Sequence, residues 1–198
     1  MPAGGDQAGR LLVTGFEPFG GRRRNRSWEI VERLGSRRDV QTVQLPVDFA
    51  RLKVDVPELM RDRPRGLLLI GESAAKWVCV EQVALNVLDS DSGDNAGAKP
   101  QMAPVVPGGP LALTASWDAR EIAGRLNRGG VPAVASFHAG TFACNAALYL
   151  ALHACTGSTS VGFLHIPHGH WPFGMRTGIL LRAVNMCLEG LKMGPSAR

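Results

Sequence analysis

Short apolar runs, each ending in a glycine or a polar turn and followed by a stretch of helical periodicity, recur along this chain. That alternation constrains the fold more than any other feature. The segment Gly66-Leu67-Leu68-Leu69-Ile70-Gly71 is the plainest case, because an unbroken apolar run suits a central parallel strand covered on both faces. Before it, Arg10 to Gly15 reads as a compact strand. Trp28, Val31 and Leu34 then recur at helical spacing until Gly35, and Val40 to Leu45 is rich in β-formers. The stretch up to Arg65 is expected to be largely helical, with Pro57 near a helix start or break.

Further on, the two-residue apolar period between Trp77 and Leu88 slips by one at Glu81-Gln82, which predicts a bend or bulge at the glutamate. Residues Asp89 to Pro110, rich in Gly, Pro, Asp and Asn, read as a long surface excursion, and such a stretch is often functional. Asp118 can cap a helix running to Arg128, with Gly129-Gly130 stopping it. A strand from Val131 to Ala139, a helix from Thr141 to Cys155, a strand from Ser160 to Ile166 and a helix from Thr177 to Lys192 complete the series. Strands followed by helices throughout mean an α/β sandwich with a mostly parallel sheet. With 198 residues and no repeat or linker, a single domain over 1–198 is expected, its first nine residues forming a flexible tail.

Composition narrows the function classes. No apolar run is long enough for a membrane span, and the opening MPAGGDQAGR has no signal-peptide core, so neither a membrane nor export is expected. The formal net charge is +5, and 13 of the 22 basic residues lie in the first 65 positions beside nine of the 17 acids. The excess centres on Gly21-Arg22-Arg23-Arg24-Asn25-Arg26, a solvated loop in the plainer reading. No aromatics alternate with these arginines as in a single-strand groove, so nucleic acid is not the expected partner.

In open α/β sheets reactive groups gather at the carboxyl ends of strands. That rule singles out Gly15 to Gly21, Glu81, the segment Ala139 to Asn145, and Phe163 to Pro167. Cys144 falls in the first turn of a helix, where unpaired N–H groups and the helix dipole favour a thiolate and can hold an oxyanion. Cys155 and Cys187, set in apolar helices, fit the alternative of inert buried thiols, and Cys79 precedes Glu81. His165 stands at a strand mouth, able to exchange a proton with a thiol or simply to be a satisfied core histidine. Glu81, in apolar surroundings, needs a partner such as an imidazolium unless it faces water. His165, His168 and His170 are spaced for a metal reading as well, but no acidic or cysteine ligand is interleaved with them, so no metal is expected.

Four segments, in order, resemble the pyroglutamyl peptidase type I family. They are Thr14-Gly15-Phe16-Glu17-Pro18-Phe19-Gly20-Gly21 with Asn25 and Ser27-Trp28-Glu29, then Val80 to Val87, Ala139 to Asn145, and Gly162 to Pro167. The resemblance runs from about Leu11 to about Leu188. It implies a three-layer α/β/α sandwich and a cytoplasmic cysteine peptidase, usually homotetrameric, that removes N-terminal pyroglutamate from peptides without a cofactor or metal. By the same resemblance Cys144 is the nucleophile, His165 the acid/base and Glu81 the residue orienting it. Phe16 and Phe19 would sandwich the lactam ring, Asn25 would hold their loop or the substrate, and Glu72 and Ala143 would stand on the substrate side.

The chain also departs from the family pattern. Asp91 stands where an arginine is usual, Arg26 where a proline is usual, and Glu72-Ser73-Ala74-Ala75 replaces a Gln or Leu with a glycine-rich turn, in a loop shorter by one residue. The stretch His168-Gly169-His170-Trp171 is also atypical. A related amidase with another substrate, or a catalytically idle binding protein on the same fold, are the rival expectations.

Overall fold

A computed structural model describes residues 10–156, 159–169 and 174–192. The expected N-terminal tail and His170 lie outside these residues. Four strands run parallel through the middle and one side of the sheet: β1 (Leu11–Phe16), β2 (Val40–Leu45), β3 (Gly66–Ser73) and β8 (Ser160–Pro167). Two more, β4 (Val78–Glu81) and β7 (Ala133–Ser136), are parallel to each other and complete the order β2-β1-β3-β8-β4-β7. β4 lies antiparallel to β8. A separate two-stranded ribbon joins β5 (Val83–Leu85) to β6 (Ala112–Thr114).

The reversal of β4 corrects one sequence expectation. The carboxyl-end rule grouped Glu81 with the other strand mouths, but β4 points the opposite way. Only residues 74–77 separate β3 from β4, far too few for the crossover that a parallel strand requires. The chain therefore turns back. The slip at Glu81-Gln82 is real and marks the change of sheet: the Gln82 side chain donates to the Trp117 carbonyl at 2.9 Å and accepts from the Ala119 amide at 2.8 Å.

Helices cover both faces. One face carries α1 (Arg26–Glu32), α3 (Ala119–Arg128) and α5 (Thr177–Lys192), packed on Leu11, Val13, Leu68, Ile70, Leu164 and Ile166. The other carries α2 (Phe49–Arg61) and α4 (Ala143–Ala154), packed on Leu12, Phe16, Leu67, Leu69, Val161 and Phe163. This is the α/β/α sandwich, with a mostly parallel central sheet. Among the described residues no helix is long and apolar enough to cross a membrane.

Local chemistry explains the helix limits. Asp118 caps α3 and Gly129 follows its last residue, as its sequence predicts. α2 is capped by Asp48 and buries Phe49, Leu52, Val56 and Met60 at helical spacing. Pro57 neither starts nor breaks that helix but sits inside it. The Lys53 carbonyl that it leaves without an N–H partner belongs to an exposed residue, open to water. The strand expected over Val131 to Ala139 is confined to Ala133–Ser136, and its last residues instead form the loop into α4.

The excursion from Asp89 to Pro110 has no helix or strand of its own, yet it is tightly held. Val105 is buried, Leu88 and Ala103 form a bridge, and the Asn86 amide donates to the carbonyls of Val106 and Gly109. The buried Asp94 carboxylate accepts from the amides of Phe49, Ala96 and Ala98. Asn145, wholly buried on α4, accepts from the Leu85 amide at 2.8 Å and donates to the Leu85 and Val87 carbonyls at 2.9 and 3.0 Å. It is the polar rivet between α4 and the ribbon. Asn145→Ala would strand three main-chain groups, so urea unfolding should show at least about 2 kcal/mol of lost stability. A loss below 0.5 kcal/mol, on that approximate scale, would mean water satisfies these groups instead.

Candidate active site

α4 begins at Ala143 after Phe142, an N-cap residue whose side chain makes no capping hydrogen bond. Cys144 is thus the second residue of a helix whose first N–H groups have no side-chain cap, and the helix axis directs its positive end at the sulfur. The sulfur comes to rest over β3. A Cβ added at Gly71 would lie 2.7 Å from Cys144 Sγ and 2.8 Å from the Phe163 ring. Gly71 is the register partner of His165 on β8, so the missing side chain opens the place beside the imidazole that the sulfur occupies.

His165 is buried, with Phe163 against its ring at a centroid distance of 4.8 Å. Its Nδ1 lies 2.8 Å from Glu81 Oε1, which leaves the other ring nitrogen for the reacting sulfur, and Cys144 and His165 line the same cavity. Glu81 is itself 1% exposed and comes from β4, two positions beyond the residue opposite His165. Because β4 runs against β8, Glu81 lies beneath the imidazole, towards the sheet interior, and not beside it at a shared strand mouth. Burial alone would lower the histidine's affinity for its second proton. The Cys144 sulfur and then the Glu81 carboxylate outweigh it and raise the His165 pKa to about 10.

The other thiols lack this setting. Burial, and then Glu81, pushes Cys79 up to about 11. Burial pushes Cys187 up to about 12, against the pull of Arg125, and raises Cys155 as well.

Cys144 and His165 open into a cavity of about 170 Å³, walled by Phe16, Phe19, Phe142, Val47, Ala139 and Ala143, with Asn25 and Glu72 at its edge. A cavity of about 150 Å³ takes a benzene-sized ring, so a five-membered ring fits here. Every residue expected on the substrate side, Phe16, Phe19, Asn25, Glu72 and Ala143, lines this cavity, and Glu81 stands behind it. Asn25 also holds the loop: its Oδ1 accepts from the Ser27 amide and hydroxyl, and its Nδ2 donates to the Glu17 carbonyl at 3.0 Å. Ser27 Oγ in turn accepts from the Phe16 amide.

Sequence reasoning missed Val47 and Gly71 as parts of the site, and it gave Phe142, inside the segment it singled out, no role of its own. Phe142 directly precedes Ala143 and packs edge-on against Phe49, 5.2 Å between centroids. It missed Glu17 too. Glu17 Oε1 accepts from the Val47 amide at 2.9 Å and from Asn95 Nδ2 at 2.8 Å, so the long excursion braces the Phe16–Phe19 loop. Asp91 is exposed and does not line the cavity. Arg26, expected in a solvated basic loop, is instead 2% exposed, with its guanidinium donating to the carbonyls of Pro167 and Met175.

Among the described residues no group of three His, Cys, Asp or Glu is placed to hold a metal ion. His168 is engaged elsewhere, its Nδ1 2.9 Å from the Ser73 carbonyl oxygen.

The causes of the His165 shift can be separated by experiment. Cys144→Ser and Glu81→Gln should each lower the imidazolium pKa, because both neighbours favour the charged ring. NMR titration of labelled histidine reads both. An unchanged His165 titration in Cys144→Ser would contradict the paired arrangement.

A family profile described as pyroglutamyl peptidase matches residues 9–192. The pyrrolidone-carboxylate peptidase of Thermococcus kodakarensis is 41% identical over 169 residues, covering 81% of this chain and 82% of its own length. The enzyme of that name from Gloeobacter violaceus is 37% identical over 198 residues, covering 92% and 97%. The crystal structure of pyrrolidone carboxyl peptidase from Thermus thermophilus superposes with a TM-score of 0.84 at 33% identity, covering 90% of this chain and 98% of that one. Bacillus amyloliquefaciens pyroglutamyl peptidase I does so with a TM-score of 0.84 at 26% identity, covering 96% and 99%. With its fold, its paired cysteine and histidine and these likenesses in agreement, the chain belongs to the pyroglutamyl peptidase family of cysteine peptidases.

Proposed function

We infer that this protein removes N-terminal pyroglutamate from peptides through a thioester acyl-enzyme. The observation that carries the reading is one cavity with aromatic walls that opens directly on the Cys144–His165 pair. A lactam is neutral and flat, suited to the faces of Phe16, Phe19 and Phe142. A free N-terminal ammonium is disfavoured there. The one carboxylate on the wall, Glu72, already accepts from the Arg26 amide at 2.7 Å and pairs with Arg22 at 2.8 Å, so a buried ammonium would have no counter-charge of its own.

In this reading the Cys144 sulfur attacks the carbonyl carbon that links pyroglutamate to the next residue. The developing oxyanion is met by N–H groups in the first turn of α4. His165 gives its proton to the departing amine, the C–N bond breaks, and the thioester remains. His165 then accepts a proton from water, which attacks the thioester and releases pyroglutamate as Cys144 leaves as the thiolate. Glu81 acts through His165, fixing its ring and favouring its charged form. The homotetrameric assembly and cytoplasmic location implied by the resemblance belong to the same proposal, and sedimentation velocity tests the assembly.

The test is turnover of a pyroglutamyl amide beside prolyl and glutaminyl amides. The pyroglutamyl compound should be hydrolysed in clear preference, and Cys144→Ser or His165→Ala should each remove at least ~100-fold of kcat/KM, because nucleophile and acid/base work as a unit. Equal turnover of the prolyl amide would move the reading to a related amidase with another preference. Unchanged turnover in either variant would overturn the mechanism.

A further inference from the structure

The proposed function uses Phe19 and Glu72 but gives Arg22 no part beyond pairing with Glu72. Phe19, Gly20, Gly21 and Arg22 form a tight turn closed by the Arg22 amide donating to the Phe19 carbonyl at 3.2 Å, with Gly20 and Gly21 at φ of 61° and 74°. That left-handed pair returns the chain on itself, so the Arg22 side chain lies back over the Phe19 ring, its Cζ 4.3 Å from the centroid. The same guanidinium reaches Glu72 Oε2 at 2.8 Å. Arg22 does not line the cavity; it stands outside the wall that Phe19 makes.

Glu72 is fixed from several sides. Its side chain is 5% exposed, it extends β3 opposite Ile166, and its Oε1 accepts from the first amide of α1. The Phe16–Gly21 loop projects from the end of β1, where Asn25, Val47 and Asn95 hold Glu17 and Pro18, and Arg22 joins its aromatic tip to that fixed carboxylate. Both links of the joint are electrostatic: a cation on an aromatic face and a cation on a carboxylate. Arg22 also neutralises a nearly buried carboxylate on the wall of a cavity that holds the catalytic sulfur. Without it, the hydrogen bond left to Glu72 among the described residues is the one from the Arg26 amide.

We propose that Arg22 is a positioning residue, a latch that holds Phe19 over the ring-binding cavity by bridging it to Glu72. The proposal rests on the pyroglutamyl reading of that cavity, which it deepens by naming what sets the cavity's outer wall. The latch acts on binding and not on the sulfur. Its loss therefore appears in KM and leaves kcat nearly unchanged. Because Arg22 keeps 39% of its side chain exposed, salt should screen the bridge.

The test compares wild type, Arg22→Ala, Glu72→Gln and the double variant on a neutral pyroglutamyl amide. Hydrogen exchange of the amides in residues 16–24 is followed in parallel. Arg22→Ala should raise KM about 3- to 10-fold, with kcat within about twofold. The double variant should show less than the product of the single effects, as coupled residues do. Wild-type KM should rise between about 0.1 and 1 M salt, and the Arg22→Ala value should stay flat. Exchange in residues 16–24 should quicken in Arg22→Ala, while that in residues 146–152 should not. An unchanged KM, fully multiplicative effects, or a loss confined to kcat would overturn the latch. If wild type fails to hydrolyse the amide, the pyroglutamyl reading falls, and exchange alone judges the latch: unchanged rates in residues 16–24 would reject it.

Discussion

Cys144 stands beside His165 because the neighbouring strand leaves its sulfur a place to lie. Gly71 on β3 is level with His165 on β8, and any side chain there would meet Cys144 Sγ at 2.7 Å. Everything else in the site answers to that close approach. α4 can press its N-terminus onto the sheet only if its own body is apolar, and from Ala146 to Ala151 every residue is buried. Asn145, directly after Cys144, then fastens the helix laterally to the β5–β6 ribbon. The sulfur, the helix end and the imidazole are thereby fixed by three separate elements of the fold.

Charge in this region follows the same economy of placement. Glu81 lies beneath the imidazole and Cys144 on its other side, and together they raise the His165 pKa despite burial. Nearer the surface, Glu72 is matched by Arg22 and by the Arg26 amide, which leaves the cavity lined mostly by aromatic and aliphatic walls. A site that holds its net charge at the reacting atoms and matches it elsewhere suits a neutral ring with a scissile amide at its edge.

Much of this is legible in the sequence, and the failures have physical causes. The unbroken run Leu67–Ile70, the Asp118 cap and the slip at Glu81-Gln82 are local signals, and each appears where expected. Cys144, His165 and the aromatic loop are marked by the strand-to-helix turns that carry them. The direction of β4 was equally within reach, since residues 74–77 cannot form a crossover, but periodicity carries no arrow. Pro57 misleads because a helix tolerates proline where the freed carbonyl meets water. Arg26 misleads for a deeper reason, which its pairing with Glu72 shows. Each is an oddity when read alone, and only the folded chain shows that the amide of one supplies a partner for the carboxylate of the other. Val47 joins the cavity, and Glu17 braces the loop on its wall, through contacts between distant segments, which no local pattern announces.

The central claim is that the Cys144 sulfur, paired with His165, takes up the pyroglutamyl group as a covalent intermediate. Rapid acid quench during turnover of a pyroglutamyl amide, followed by intact-mass measurement and peptide mapping, reads it directly. A single pyroglutamyl group on the peptide containing Cys144, absent in Cys144→Ser, is the result expected. Turnover with no adduct at any quench time, or an adduct on Cys79, Cys155 or Cys187, would contradict it.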